Sequence, residues 1–177
     1  MNLQMLYACT IIATLAMTFV MRWHGNDLII PGCTEAGIVS LELAANKKAA
    51  EAMLACWRNV HGKDLISIAI RNTQIDFIYL LCYSMLGYIA CMGIATKLSK
   101  PWQKILSWLA IGALAAGLLD VFENLMMLET LQMGVKANVV TATKILATTK
   151  FFLLACVVLG FVAGTTLWAW DRWIPVK

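Results

Sequence analysis

The sequence predicts an all-α fold: a four-helix transmembrane bundle with an extracytoplasmic helical hairpin between the first and second spans. Of the 177 residues, 61% are hydrophobic and only 14% are charged. Soluble domains are nearer half apolar and a quarter charged. The apolar residues also gather in four blocks, each near the roughly 20 residues that a helix needs to cross a bilayer. We therefore treat residues 1–177 as a single membrane domain.

The four apolar blocks place the spans at about residues 3–21, 75–96, 105–128 and 145–170. The first block could be a signal peptide, but no Lys or Arg precedes it and no clear small-x-small cleavage site follows it. We therefore expect a retained helix.

The segment 22–73 predicts the hairpin. Pro31 and Gly32 interrupt helical structure, and Thr34 after them can cap a short helix that ends near Ala45. A second helix, 47–59, has one apolar face and one charged face, which suits packing on the bundle or in the interface. From Asp64 we expect a long helix that continues into span two.

The cysteines differ in location. Four lie within spans, where cysteine behaves as a small apolar residue, whereas Cys33 and Cys56 lie in the hairpin. An antiparallel helical pair would bring these two together, so we predict a Cys33–Cys56 disulfide, which requires an oxidising compartment. The alternative is two unpaired thiols on a reducing face.

Positive charge in short loops predicts the orientation. Both termini share a side with Lys97, Lys100 and Lys104, and such residues favour the cytoplasm. We expect an inner (plasma) membrane protein with cytoplasmic termini and with 22–73 outside. Arg22, Lys136 and Lys144 oppose this orientation.

Span three carries the most informative polar stripe. Asp120, Glu123 and Asn124 lie three and four residues apart and so share a helix face. Charges at membrane depth are costly and usually face the protein interior or a wet cavity. At 1.5 Å per residue, Asp76 of span two, Glu123 and Asp120 of span three and Lys150 of span four lie at similar depths below the hairpin, roughly 6 to 13 Å.

This common depth predicts the contacts of the polar layer. Lys150 is the natural partner of Glu123 or Asp120, and Arg71 lies about one turn above Asp76 and can serve that carboxylate. Two phenols of span two, Tyr79 and Tyr83, should line the same interior.

Several residues resemble the pattern of a family of small, uncharacterised bacterial four-span membrane proteins. They are Ile38-Val39-x-Leu41-Glu42-Leu43-Ala44, Trp57, Asp76 with Tyr83, Gly117-x-x-Asp120-x-x-Glu123-Asn124, and Lys150-Phe151. The resemblance implies this fold and bacterial inner-membrane residence, but no activity. It also implies a polar signature in which the hairpin residue Glu42 points at the cluster, with Asp76, Asp120, Glu123, Asn124 and Lys150.

The leading functional hypothesis is a binding or accessory protein whose acid-rich cavity accepts an amphiphilic ligand or a partner's segment. The runner-up is a lipid-modifying enzyme in which Asp120 and Glu123 act as general acid and base, with Tyr79 or Tyr83 assisting an oxyanion. A scaffold or immunity-type subunit is the third class. A structural ion-pair network explains the polar layer equally well.

Other chemistry has weaker support. His24, His61, Glu35 and an unpaired Cys33 or Cys56 could bind zinc, but exposed histidines are the favoured interpretation, so we expect no metal and no cofactor. The net charge of +4 is modest, and the sequence has no run of basic residues interleaved with aromatic ones, so we expect no binding to nucleic acid.

The pair Gly160 and Gly164 forms a GxxxG motif on span four. This motif allows two helices to approach closely, so it fits either a homodimer or packing inside the bundle.

Overall fold

The computed structural model describes residues 3–60 and 62–173, and these residues form six α-helices. The helices are α1 (Leu3–Gly25), α2 (Ile38–Glu42), α3 (Lys47–Arg58), α4 (Leu65–Ala95), α5 (Lys100–Met133) and α6 (Ala137–Trp173). A 3₁₀ turn, Asn26–Leu28, follows α1 directly. The described part of the chain contains no strand, so the all-α prediction is confirmed.

Four of these helices, α1, α4, α5 and α6, are long and apolar enough to cross a membrane. They contain the predicted spans to within one residue but extend well beyond them. With 34 and 37 residues, α5 and α6 are about 51 and 56 Å long, whereas the hydrocarbon core is about 30 Å thick. The segment 129–144, which we expected to be the loop between spans three and four, is helical except at 134–136. Lys100 and Lys104 belong to the first turns of α5 rather than to the loop between spans two and three.

The bundle is built around α4 and α5. These two helices have the most extensive contact, α6 packs mainly on α5, and α1 packs mainly on α4. Small residues allow the close approach of α4 and α5. A Cβ at Gly117 would come within 2.8 Å of Ser84 Cβ, and one at Gly87 within 2.9 Å of Ala113 Cβ.

The apolar core falls into two clusters. One lies at the hairpin end, where Leu54 and Trp57 of α3 pack with Leu65 of α4 and Leu131 of α5. The other lies toward the opposite end and joins α4, α5 and α6 through residues such as Leu106. The polar residues of the three helices occupy the layer between the two clusters.

The hairpin is held by one buried tryptophan and by the predicted disulfide. Trp57 Nε1 donates hydrogen bonds of 3.1 Å to the Leu28 carbonyl and 3.1 Å to Thr34 Oγ1, and the Thr34 hydroxyl donates to the same carbonyl at 2.7 Å. Cys33 and Cys56 form a disulfide with their Cα atoms 6.7 Å apart, as the sequence predicted.

The first hairpin helix begins later than predicted. Thr34 does not cap it, because its side chain is committed to Leu28 and Trp57. The helix begins at Ile38 after Gly37, whose φ of +60° lies in the region that favours glycine, and it ends at Glu42 rather than near Ala45. The second helix is as expected, with Asn46 accepting a 3.0 Å hydrogen bond from the Ala49 N–H.

The GxxxG motif of α6 packs inside the chain. A Cβ at Gly160 would meet Leu109, and one at Gly164 would lie 2.9 Å from Leu106 and 3.0 Å from Ile94. These intrachain contacts account for both glycines. A homodimer through them stays a prediction, and it would have to leave this packing in place.

Candidate functional site

Lys150 lies at the centre of a buried charge cluster. Its Nζ is 2.8 Å from Asp120 Oδ1, 2.8 Å from Glu123 Oε2 and 3.7 Å from Glu42 Oε2. The exposed fractions of the four residues are 5% for Lys150, 2% for Asp120, 0% for Glu123 and 9% for Glu42. The cluster therefore joins α6, α5 and the hairpin helix α2 in one layer.

Two further hydrogen bonds extend the cluster to α4. The Tyr83 hydroxyl donates to Asp120 Oδ2 at 2.6 Å, and Asn124 Nδ2 donates to Asp76 Oδ2 at 2.7 Å. Asp120 thus bridges an ammonium and a phenol. The contact that the sequence predicted between Lys150 and one of two acids forms with both of them.

The aromatic wall of the site belongs to α4 and is linked to α1. The rings of Tyr79 and Tyr83 pack edge to face with their centroids 5.4 Å apart. The Thr18 hydroxyl of α1 donates to Tyr79 Oη at 3.3 Å. Thr18 therefore brings α1 into contact with the same wall.

Arg71 is not part of this cluster. It is exposed, and no carboxylate of the described residues lies within 4.0 Å of its guanidinium. The predicted contact with Asp76 is therefore absent, and Asn124 is the partner of that carboxylate instead. The reason is angular. Five residues along a helix correspond to a rotation of about 500°, which is about 140° beyond one full turn, so Arg71 and Asp76 lie on different faces.

Without Arg71, the layer carries an excess of acid. Four carboxyl groups, from Glu42, Asp76, Asp120 and Glu123, gather around one ammonium group. Unpaired ionised carboxylates are very costly in an apolar environment. The cluster therefore requires further positive charge, from bound protons or from a cationic group.

Two of the carboxylates have oxygens without a hydrogen bond. Glu42 Oε2 is buried and receives none from the described residues. Neither oxygen of Glu123 receives one, because its 2.8 Å contact with Lys150 is a close ion pair without hydrogen-bond alignment. Burial raises the pKa of the Glu42 carboxyl above its usual range, against the opposing effect of the Lys150 ammonium.

A cavity of about 730 Å³ lies beside the cluster and is bounded by α1, α4, α6 and the hairpin. Seven of the predicted site residues line it: Glu42, Asp76, Tyr79, Tyr83, Asp120, Asn124 and Lys150. Glu123 and Arg71 do not. Of the two candidate catalytic acids, only Asp120 therefore faces the cavity.

The cavity lining changes character along the bundle. On α4 it runs from Asn72 through Asp76 and Tyr83 to Gly87 and Cys91, so a polar half near the hairpin gives way to an apolar half. On α6 the same change occurs below Lys150, where the lining continues through Phe151, Leu154, Val157 and Phe161. The apolar part below Tyr83 is roughly 12 Å long, taking 1.5 Å per residue to Cys91.

The cavity lies between α1 and α6, which have no extensive contact with each other in the described part of the chain. Ile11 of α1 lines one side of it, and the exposed Val158 of α6 lines the other. The gap between these helices therefore opens sideways, toward the surface that the apolar helices present.

The candidate metal ligands do not come together in the described residues. Cys33 and Cys56 are joined to each other, Glu35 is exposed, and His61 lies outside the described residues. His24 is half-buried, and its Nδ1 has no hydrogen-bond partner. No group of three such side chains is close enough to hold a metal ion within 3–60 and 62–173.

The sequence predicted seven polar residues of the cavity lining but missed its α1 wall and the rest of its hairpin wall. Tyr7, Ile11 and Met21 of α1 and the backbone near Gly37 also line the cavity. The steps of three and four residues that align Tyr7, Thr10, Thr14 and Thr18 on α1 were the available signal. They indicate a helix face but not what that face contacts.

No family model, curated protein or solved structure matches this chain.

Proposed function

We propose that this chain is an integral membrane protein that binds an amphiphilic molecule. The amphipathic lining of the cavity carries this proposal. The hairpin end offers carboxylates, phenols and an ammonium group, and the other half offers mainly apolar or small side chains, with the Tyr7 phenol as the exception. Ligand sites commonly combine an apolar cavity of 300–1,000 Å³ with a few convergent polar groups.

We propose that the bound molecule keeps its polar end beneath the hairpin and its chain along the apolar half. Packing an alkyl chain against Phe161 and Leu154 would bury apolar surface, which favours binding at roughly 25 cal/mol for each Å². The polar end would reach the hydrogen-bonding groups of Asp76 and Glu42. The gap between α1 and α6 supplies a route from the lipid that does not require the hairpin to open.

We also propose an inner (plasma) membrane location with cytoplasmic termini and an extracytoplasmic hairpin. The Cys33–Cys56 disulfide supports this orientation, because disulfides persist in oxidising compartments. Lys97, in the connection between α4 and α5, and Lys100, the first residue of α5, support it independently, because basic residues in short loops and near the ends of spans favour the cytoplasm. The same orientation places the polar half of the cavity in the outer leaflet.

Native mass spectrometry of the protein purified in a mild uncharged detergent tests the binding proposal. The expected result is a retained amphiphile at about one per chain. Ala90 lines the apolar half, so Ala90→Trp should fill it and abolish retention. Ala155→Trp is the matched control, because Ala155 of α6 is exposed and does not line the cavity.

Two results would refute binding in this cavity. One is equal retention by both tryptophan variants, which would assign the amphiphile to the outer surface. The other is a density map in which the space beside Asp120 is closed and dry.

A second candidate function is a lipid-modifying enzyme, favoured by one contact. Tyr83 donates a 2.6 Å hydrogen bond to Asp120 where both side chains line the cavity, which provides a paired acid and phenol at its polar end. If this pair performs general acid–base chemistry, Asp120→Asn should abolish conversion of membrane lipids while leaving amphiphile retention unchanged. Lipid profiles of vesicles incubated with each protein would show the difference.

A further inference from the structure

We infer that the polar end of the cavity recognises a protonated amine, so that the amphiphile bound there carries an ammonium head group. This inference rests on the proposed function and specifies its ligand. The structural basis is the buried carboxyl group of Glu42, whose proton a bound cation would displace to water, together with the carboxylate Asp76 and the Tyr79–Tyr83 pair, all of which line the cavity.

The net charge of the polar layer favours a cationic ligand. The layer holds four carboxyl groups and one ammonium group, and the Lys150 ammonium is already engaged by Asp120 and Glu123 at 2.8 Å each. Glu42 receives only a 3.7 Å contact from it. An anionic head group would add negative charge to this excess, whereas a cation would reduce it.

The carboxylate oxygens of Glu42 and Asp76 that have no hydrogen-bond donor also favour an ammonium group. Glu42 is nine-tenths buried, lines the cavity and has an oxygen without any hydrogen-bond donor. Asp76 uses one oxygen for Asn124, and its other oxygen has no donor among the described residues. An ammonium group has three donors and no acceptor, so it complements two carboxylates that need donors.

The aromatic wall formed by Tyr79 and Tyr83 also favours a cation. Tyr79 and Tyr83 line the cavity one turn and two turns from Asp76, and their rings pack edge to face. Cations are attracted to the faces of aromatic rings, with a strength that rises when water is excluded. Carboxylates beside aromatic rings suit an ammonium group better than a hydroxyl group, because the ammonium group has a positive charge and three donors where the hydroxyl group has one.

One cavity residue suggests where such an amine could come from. Arg22 also lines the cavity, at an exposed position of α1 near the hairpin. It can pair with a phosphate, as in an aminophospholipid, but it offers nothing to a simple alkylamine. The shared chemistry is the ammonium group, and the experiment below distinguishes the two sources.

The test compares matched amphiphiles on the purified full-length protein at pH 7 in an uncharged detergent. Dodecylamine, dodecanol and dodecanoic acid share a chain length and differ only in the polar end. Calorimetric titration should give at least about tenfold tighter binding of dodecylamine than of dodecanol, which is the size expected for charged hydrogen bonds. Dodecanoic acid should bind most weakly.

A second arm uses single-chain phospholipids of the same length. Tighter binding of the phosphatidylethanolamine form than of the phosphatidylglycerol form would assign the amine to an aminophospholipid. Equal binding of these two, with dodecylamine still preferred over dodecanol, would assign it to a simple amine. Both results support the ammonium site.

Variants locate the effect. Glu42→Gln and Asp76→Asn should each reduce dodecylamine affinity roughly tenfold while leaving dodecanol affinity nearly unchanged. Glu35→Gln is the control, because Glu35 is an exposed hairpin acid that does not line the cavity. Thermal unfolding of each variant shows whether it folds, and the wild-type comparison of amine with alcohol needs no variant.

Equal affinity of the wild-type protein for dodecylamine and dodecanol would overturn the amine inference and leave amphiphile binding intact. Unchanged dodecylamine affinity in both acid variants would overturn it too. If none of the probes binds, the proposed function itself fails.

Discussion

Lys150 of α6 and Glu42 of α2 lie 3.7 Å apart from Nζ to Oε2, and this contact connects the hairpin to the buried charges of the bundle. The same ammonium is held at 2.8 Å by Asp120 and by Glu123 of α5. The Lys150 side chain therefore offsets negative charge both on the hairpin, at Glu42, and on the bundle helix α5, at Asp120 and Glu123. Its removal should affect the packing of the helices and the seating of the hairpin together.

Replacement of Lys150 by methionine should strongly destabilise the protein. The side chain is 5% exposed, and its loss leaves buried carboxylates without a cation. Breaking a buried ion pair in this way typically costs about 3–5 kcal/mol. Denaturant unfolding in detergent, followed by tryptophan fluorescence, measures the loss.

Lys144→Met is the control for this change, because Lys144 is exposed on the same helix and should contribute within about 0.5 kcal/mol. The double variant Lys150→Met with Glu123→Gln should recover part of the lost stability, since it also removes one unpaired charge. Stability of Lys150→Met equal to that of Lys144→Met would show that the cluster does not depend on its ammonium.

Replacement of Gly117 by alanine should separate α4 from α5. The added Cβ would lie 2.8 Å from Ser84 Cβ and 2.9 Å from Ser84 Oγ, closer than such atoms pack. Overpacking of this kind costs about 1–3 kcal/mol. Gly93→Ala is the matched control, because nothing lies within 4 Å of its Cβ position, and alanine is the better helix former there.

The double variant Gly117→Ala with Ser84→Gly tests whether this contact is the cause. Moving the small residue from α5 to α4 restores the space, so part of the lost stability should return. Additive losses in the double variant would contradict the contact and point to another effect of the alanine.

Loss of the Cys33–Cys56 disulfide should lower stability by about 3 kcal/mol, the value that the chain-entropy model gives for its sequence separation of 23. The comparison is thermal unfolding of the protein and of Cys33→Ser, with and without reductant. Cys156→Ser is the control, because Cys156 is a free cysteine within α6.

The disulfide also reports orientation. In a background with the four free cysteines replaced by alanine, a membrane-impermeant maleimide applied to the outside of intact cells should label only after reduction. The four positions are Cys9, Cys82, Cys91 and Cys156. Immediate labelling without reductant would contradict the disulfide, and labelling only after lysis would reverse the orientation.

The sequence was sufficient for the four long helices and for the central ion pairs. Apolar blocks identify membrane-length helices without reference to their neighbours, and helical rise predicts the depth of each charge. Lys150, Asp120 and Glu123 meet because the antiparallel helices α5 and α6 bring them to one level. The helix ends were underestimated, because the turns beyond 128 and before 145 pack against the hairpin rather than forming loops.

The remaining features depend on tertiary structure that local patterns do not encode. Thr34 is a good capping residue, but its hydroxyl binds the Leu28 carbonyl under Trp57, so the helix begins at Ile38 instead. Arg71 was judged by its height alone, although it lies on a different face from Asp76. Which residues of the short α2 face the cluster depends on how the hairpin docks.

The buried carboxyl of Glu42 should make stability fall as pH rises. Burial raises the pKa of Glu42 in the folded protein, whereas the pKa of a glutamate in the unfolded chain is about 4.3. Between these two values the folded state keeps a proton that the unfolded state has lost. Stability therefore decreases with rising pH across this interval, by up to about 1.4 kcal/mol for each pH unit, and levels off above the folded pKa.

Glu42→Gln removes this titration and should flatten the curve of unfolding free energy against pH. Lys150 of α6 and the acids Asp120 and Glu123 of α5 face Glu42 and remain in the variant, so only the Glu42 contribution disappears. Denaturant unfolding from pH 4 to 8 measures the difference, with the exposed Glu35→Gln as control. A wild-type curve that rises with pH relative to the Glu42→Gln curve would mean that Lys150 outweighs burial and keeps Glu42 ionised.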